Sequence, residues 1–285
     1  MLSTLDLIHN ILGALITLPS ILGNLFMISF NFALKKDERN IYSLGRLSLS
    51  MANFGASLVI FMKCIQSFIN LESIVHDIYF GMGFYLGSVS TSSVCLIAAQ
   101  KFYAIVYPFK YSQITKQRQV RCILSIWMLY IPLLAGLLLQ ALKFHLPDYF
   151  NMVVVIYGQI VPFSAGFIAT IAMFIAYLKH RNNNGMQSRD DSVSSNQRSH
   201  GKVVKVTSFM TVGYIITCGP ASVMNMYLST QGSLRVDLST FSIEYLAYLL
   251  YDFNGSINII VYILVDKQFR MYCKSILKKI CHHRR

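Results

Sequence analysis

Residues 243–282 read IEYLAYLLYDFNGSINIIVYILV-D-KQFRMYCKSILKKICH, and this stretch decides the kind of chain it belongs to. Its first part, Ile243–Val265, is mostly apolar and carries no charge apart from Glu244 and Asp252. As a helix it is long enough to cross a hydrocarbon core of about 30 Å, which takes roughly 20 residues. Beyond Asp266 the pattern changes. Phe269, Tyr272, Cys273, Ile276, Leu277 and Ile280 recur at spacings of three and four, and Lys267, Arg270, Lys274, Lys278 and Lys279 occupy the opposite face. A span followed by a basic amphipathic helix on an anionic leaflet is the expected arrangement. Calmodulin targets have the same form, but the position directly after a span favours the membrane.

Working outward, six earlier stretches repeat the first half of this pattern: residues 7–34, 44–69, 78–106, 120–142, 149–178 and 203–227. The reading is an all-α, seven-transmembrane helix bundle, a single domain over residues 1–285, with a short eighth helix over about residues 267–280 on the inner leaflet. Spans longer than the minimum imply tilt or protrusion. A β-barrel needs segments of about ten residues alternating polar and apolar, and none occurs. Composition agrees: 54% of residues are hydrophobic, 13% are charged and mean hydropathy is +0.50, whereas soluble domains carry about 25% charged residues. A cytosolic enzyme, a disordered chain and a nucleic-acid-binding module are excluded. The net charge of +13 does not rescue the last of these, because the bases lie between apolar blocks.

Those bases set the orientation. Of 25, all but Lys63, Lys143 and Arg235 fall at one end, in the first, third and fifth connections and the tail. By the positive-inside rule the N-terminus is outside and the C-terminus cytoplasmic, in a multi-pass membrane protein. Residues 1–6 carry no base, so the first span is expected to serve as its own insertion signal. Residues 180–201, rich in Asn, Ser, Arg and Asp, are expected to form a mobile inner loop. None of the six cysteines lies in an outer loop, which excludes a disulfide there. The sequon Asn254-Gly255-Ser256 lies inside a span, where no glycan fits.

Within the spans, particular residues stand in a particular order. The first has Gly23-Asn24 and the second Leu47-Ser48-Leu49-Ser50-Met51-Ala52-Asn53. The third ends Gln100-Lys101-Phe102-Tyr103-Ala104-Ile105-Val106-Tyr107-Pro108-Phe109-Lys110-Tyr111. The fourth holds Trp127, the fifth Pro162, and the sixth Tyr214 and Thr217-Cys218-Gly219-Pro220. The seventh has Asn254 and Asn258-Ile259-Ile260-Val261-Tyr262, then Asp266-Lys267-Gln268-Phe269-Arg270. In this order the chain resembles the class A (rhodopsin-like) G-protein-coupled receptors over essentially its whole length, as a divergent member. The resemblance implies an extracellular ligand and activation of a heterotrimeric G protein. Partners would be that G protein, the lipid bilayer and, in regulation, arrestin and a receptor kinase. No cofactor, metal or nucleic acid is implied, and no enzyme activity.

The departures carry their own expectations. Gln100-Lys101-Phe102 replaces the family's Asp-Arg-Tyr. Lys101 and Tyr262 are the expected G-protein coupling residues, but Lys101 lacks the planar fork of arginine. Gln100 cannot form the ionic pair that holds this position in resting relatives, and His200 replaces the acid often found on the sixth helix. A weakly restrained resting state with agonist-free signalling is expected, against the plainer reading of a snorkelling lysine. Asn53, Cys218, Pro220, Asn254 and Asn258 form the expected activation switch. Together with Asn24 and Ser90, the asparagines must find partners across the bundle, either as a structural polar core or as a region that repacks. Asn53 stands where relatives carry the acid that holds sodium; a neutral amide cannot neutralise that cation. Cys218 replaces the family's tryptophan toggle, leaving Tyr214 and nearby phenylalanines to take its packing. Pro162 and Pro220 each remove a helix hydrogen bond and permit a bend.

Candidate ligand contacts are Lys63, Gly83, Phe84 and Asp252. Gly83 stands where amine receptors place an aspartate, so a monoamine site is not expected. Lys63 and Asp252 are the two charges deep in spans, where a charge costs at least about 2.5–3.5 kcal/mol. They form an ion pair lining the outer cavity or separate ligand contacts, or else Lys63 simply snorkels to the outer interface. Cys273 and Cys281 are candidate lipidation sites. Ser188, Ser192, Ser194 and Ser195, beside Asp190 and Asp191, suit a kinase, with a plain polar loop as the other reading. The rival class is a seven-helix transporter or channel, which should carry more mid-membrane charges and broken helices. A retinal pigment fails because residues 243–265 contain no lysine.

Overall fold

In a bilayer no water is on hand for backbone N–H and C=O groups, so each apolar run satisfies them internally as a helix. A computed structural model describes residues 4–34, 41–69, 73–147, 149–185, 191–230 and 243–282. Its helices are α1 (Thr4–Ala33), α2 (Ile41–Ile69), α3 (Ser73–Val106), the short α4 (Pro108–Ser112), α5 (Lys116–Leu129), α6 (Ile131–Ala141) and α7 (Phe150–Val155). A π-helical turn (Ile156–Ile160) leads into α8 (Val161–Gly185), followed by α9 (Asp191–Thr230), α10 (Ile243–Val265) and α11 (Lys267–His282).

These make the all-α seven-helix bundle of a multi-pass membrane protein. The fourth span is α5 with α6, and the fifth is α7, the π turn and α8. Neighbour contacts close a ring: α1 packs on α2 and α10, α2 on α3, α3 on α6 and α8, α8 on α9, and α9 on α10. Among the described residues, five spans are long and apolar enough to cross a membrane by themselves, and α10 joins them when taken with α11 across a 99° bend.

The burial pattern is the reverse of a soluble core. Leu15, Leu22, Leu124, Met128, Leu129, Ile175 and Val223 are exposed, while Ser20, Asn24, Asn53, Ser57 and Asn258 are buried. Lipid tails are as apolar as leucine, so small and polar side chains hold the interior together.

Three local features depart from the sequence reading. The span expected over residues 120–142 begins earlier and breaks at Tyr130, just before Pro132, whose missing N–H cannot continue α5. Its end is a Schellman motif in which Lys143 N–H donates to the Gln140 carbonyl and Phe144 N–H to the Leu139 carbonyl. Lys143 takes the positive φ of 64° that such a cap demands. The π turn precedes Pro162 and accommodates the hydrogen bond that proline removes. The mobile loop expected at residues 180–201 is instead helical on both sides of residues 186–190, which lie outside the described residues. No proline interrupts it, and extending an existing helix needs no new nucleus.

Candidate functional site

Two polar regions lie on the inward faces of these helices, one midway along the bundle and one at its basic end. Midway, Asn24 Nδ2 donates to the Ser20 carbonyl at 2.8 Å and, across the bundle, to the Gly255 carbonyl at 3.2 Å. The Ser20 and Ser57 hydroxyls share a hydrogen bond of 2.6 Å, joining α1 to α2. Ser90 donates to Asn53 Oδ1 at 2.6 Å, joining α3 to α2. Thr217 donates to Asn254 Oδ1 at 3.4 Å, joining α9 to α10. Of the five polar residues expected to face one another, Ser90 and Asn53 bond to each other, whereas Asn24 and Asn254 bond to other groups of neighbouring helices. Asn258 is 2% exposed, yet its Nδ2 and that of Asn53 have no hydrogen-bond partner among the described residues.

Cys218 is buried beside Thr217. One turn away, the Tyr214 hydroxyl meets that of Thr91, and its ring lies 6.1 Å from Phe163. A tyrosine and a phenylalanine thus pack together one turn from Cys218. Pro220 lies within α9, half-buried. Trp127 Nε1 donates to Ser48 Oγ at 3.1 Å, which ties the fourth span to the second.

At the opposite end from α11, Phe84 is buried against Leu137, Val154 and Val155 and packs with Phe80 and Met226. Neighbouring Gly83 is half-buried. Asn225 donates to Gln159 Oε1 at 3.1 Å between α9 and the π turn, a buried amide pair that the sequence did not announce. Lys63 is half-buried, whereas the Asp252 side chain lies outside the described residues, and so does its expected pairing.

At the basic end, Gln100 is buried and Lys101 half-buried, at the inner turn of α3. Tyr262 is 1% exposed and belongs to a cluster with Met27, Phe30, Leu49, Ile97 and Phe269. Here the sequence reading needs correction: Arg46, counted among the loop bases, lies inside α2 and is buried. Its Nη1 is 2.8 Å from Asp266 Oδ2, and its guanidinium lies over the rings of Phe30, at 5.6 Å, and Tyr262, at 5.9 Å. Its charge also bears on Lys101. The other Asp266 oxygen accepts from the N–H groups of Gln268 and Phe269 at 3.0 and 3.2 Å, capping α11. No local signal marked Arg46 as inward-facing, because its partner lies 220 residues away.

Phe109 was quoted only as part of a motif, yet it is 85% exposed on α4. Lys110, Lys116, Arg118 and Arg121 follow it in sequence and are all exposed. On α11, Cys273 is half-buried against the Phe30 and Phe269 cluster, and burial pushes its thiol above the usual cysteine range. The Cys281 side chain lies outside the described residues.

Comparison with known proteins bears on this arrangement directly. The profile of the family described as 7 transmembrane receptor (rhodopsin family) matches residues 23–262. No curated protein matches the chain.

Proposed function

Because the chain belongs to the rhodopsin family of seven-transmembrane receptors, a family of signalling receptors rather than enzymes, we propose that it converts binding of an extracellular ligand into nucleotide exchange on a heterotrimeric G protein. The supporting observation is the basic end of the bundle. An aromatic side chain, Phe109, is 85% exposed, and the next four cations along the chain are exposed too, the composition of an anchor segment in a protein interface with an acidic partner. Lys101 and Tyr262, towards the same basic end, are the coupling residues, and Asn53, Cys218, Pro220, Asn254 and Asn258 form the switch that repacks. The N-terminus is outside and the tail cytoplasmic, in the plasma membrane. Gly83, Phe84, Lys63 and Asp252 are the proposed ligand contacts. Arrestin and a receptor kinase are regulatory partners, with Ser192, Ser194 and Ser195 as acceptors.

The test is agonist-free second-messenger output in cells carrying a panel of chimeric G proteins. Output above mock cells at equal surface expression, for at least one chimera, supports the reading. Output equal to mock throughout counts against a self-active receptor.

Two further expectations follow from the same site. Asn53 already accepts from Ser90 and has no charge for a cation, so no functional sodium site is present. The unfolding temperature of the purified receptor should be the same in sodium chloride as in N-methylglucamine chloride. A saturable sodium-dependent rise that Asn53→Ala removes would overturn this. Cys273 and Cys281 lie on a helix whose basic face, Lys267, Arg270, Lys274 and Lys278, suits the anionic leaflet. Acyl-exchange labelling should disappear in the Cys273→Ser/Cys281→Ser variant, and unchanged labelling would refute lipidation there.

A further inference from the structure

We propose that Arg46 and Asp266 form an ionic lock that fixes α11 and Tyr262 in the resting receptor, supplying the restraint that Gln100 and Lys101 cannot. This rests on the receptor reading above and names a positioning pair within it. Four observations converge. Arg46 is the buried cation of α2, with its side chain 8% exposed, and Asp266 is the acid at the α10–α11 corner, 21% exposed. Their 2.8 Å contact joins residues 220 positions apart. The guanidinium also covers the rings of Phe30 and Tyr262, so one side chain touches α1, α10 and the corner together. Asp266 divides its two oxygens between the lock and the first turn of α11.

The arrangement links ion pairing to helix position. Burying a guanidinium among apolar groups is unfavourable unless a carboxylate compensates it, so Arg46 stays inward only while Asp266 is presented to it. Asp266 is presented only while α11 turns back beneath α1, where Phe269 packs edge-on to Phe30 at 5.5 Å. If Tyr262 moves, Arg46 loses a ring and the corner loses its anchor. Arg46 also lies close enough to Lys101 for its charge to act there. Release of the pair therefore alters the field at the coupling face as well as the position of α11. In relatives the comparable restraint is expected between the third and sixth helices; here it runs from the second helix to the eighth.

The capping role gives a clean experiment. Asparagine caps helices as well as aspartate does but carries no charge, so Asp266→Asn removes the lock and keeps the cap. Detergent-solubilised receptor would be digested with trypsin, and the rate of cutting after Lys267 and Arg270 measured for wild type, Arg46→Ala, Asp266→Asn, Asp266→Ala and the Arg46→Ala/Asp266→Asn double variant. The lock predicts cutting about fivefold faster in Arg46→Ala and in Asp266→Asn, at the low end of coupling between sites, with the Arg46→Ala/Asp266→Asn double variant no faster than either. Agonist-free nucleotide exchange should rise in parallel. Wild-type cutting rates in Arg46→Ala or in Asp266→Asn, with faster cutting only in Asp266→Ala, would leave Asp266 a cap and overturn the lock. Faster cutting with no exchange on any G protein would uphold the lock and contradict the receptor reading, so the two failures are distinguishable.

Discussion

Replacing Gly255 with alanine is expected to cost the folded receptor about 1–3 kcal/mol, the range found when an extra carbon is forced into a packed interior. A Cβ there would run into the Ser20 hydroxyl and stand 2.8 Å from that of Ser57. Those two hydroxyls are hydrogen-bonded to each other, and Asn24 donates to the Gly255 carbonyl from the same side. One added methyl group therefore disturbs α1, α2 and α10 at their meeting point. Gly219→Ala is the control. Its Cβ would meet Phe163 at 3.9 Å, an ordinary contact, and alanine should gain about 0.5–1 kcal/mol of helix preference. Thermal unfolding in detergent should show a fall of several degrees for Gly255→Ala and none for Gly219→Ala. Equal temperatures would mean that the three helices do not meet as described.

The second large effect should come from Phe109→Ala, and it should be functional alone. The side chain is 85% exposed, so its removal leaves the fold and surface expression unchanged. If it anchors the partner, loss of a buried aromatic contact in the complex costs about 2 kcal/mol or more, which lowers coupling by roughly 30-fold. Lys110→Ala, one position along, sits over the Tyr107 ring at 5.5 Å and should cost less. Full coupling by Phe109→Ala would remove α4 from the interface.

How much of this was legible beforehand follows from the range of the interactions. The seven spans and α11 were readable because each is encoded locally, by a run of apolar residues or by a spacing of three and four. The ordered Asn24, Asn53, Trp127, Pro220 and Tyr262 positions carried the family. The break at Tyr130 and the π turn had only a nearby proline as a sign, and a proline does not say which relief the backbone takes. The helical continuation on both sides of residues 186–190 was missed because polar composition was read as disorder, although neighbouring spans nucleate those turns. Arg46 was misplaced for the plainest reason. Its partner is 220 residues away, and nothing local shows that a base near a span boundary points inward. The Asn225–Gln159 pair was invisible on the same grounds.

The claim that most needs testing is coupling to a G protein, and the direct measurement is GDP release from purified heterotrimers mixed with the receptor in lipid discs. One heterotrimer class at least should release GDP faster than with empty discs, faster still with Asp266→Asn, and at close to the empty-disc rate with Phe109→Ala. No acceleration for any class, together with ligand-dependent ion flux or solute uptake in liposomes holding only this chain, would contradict the account and point to a channel or transporter instead.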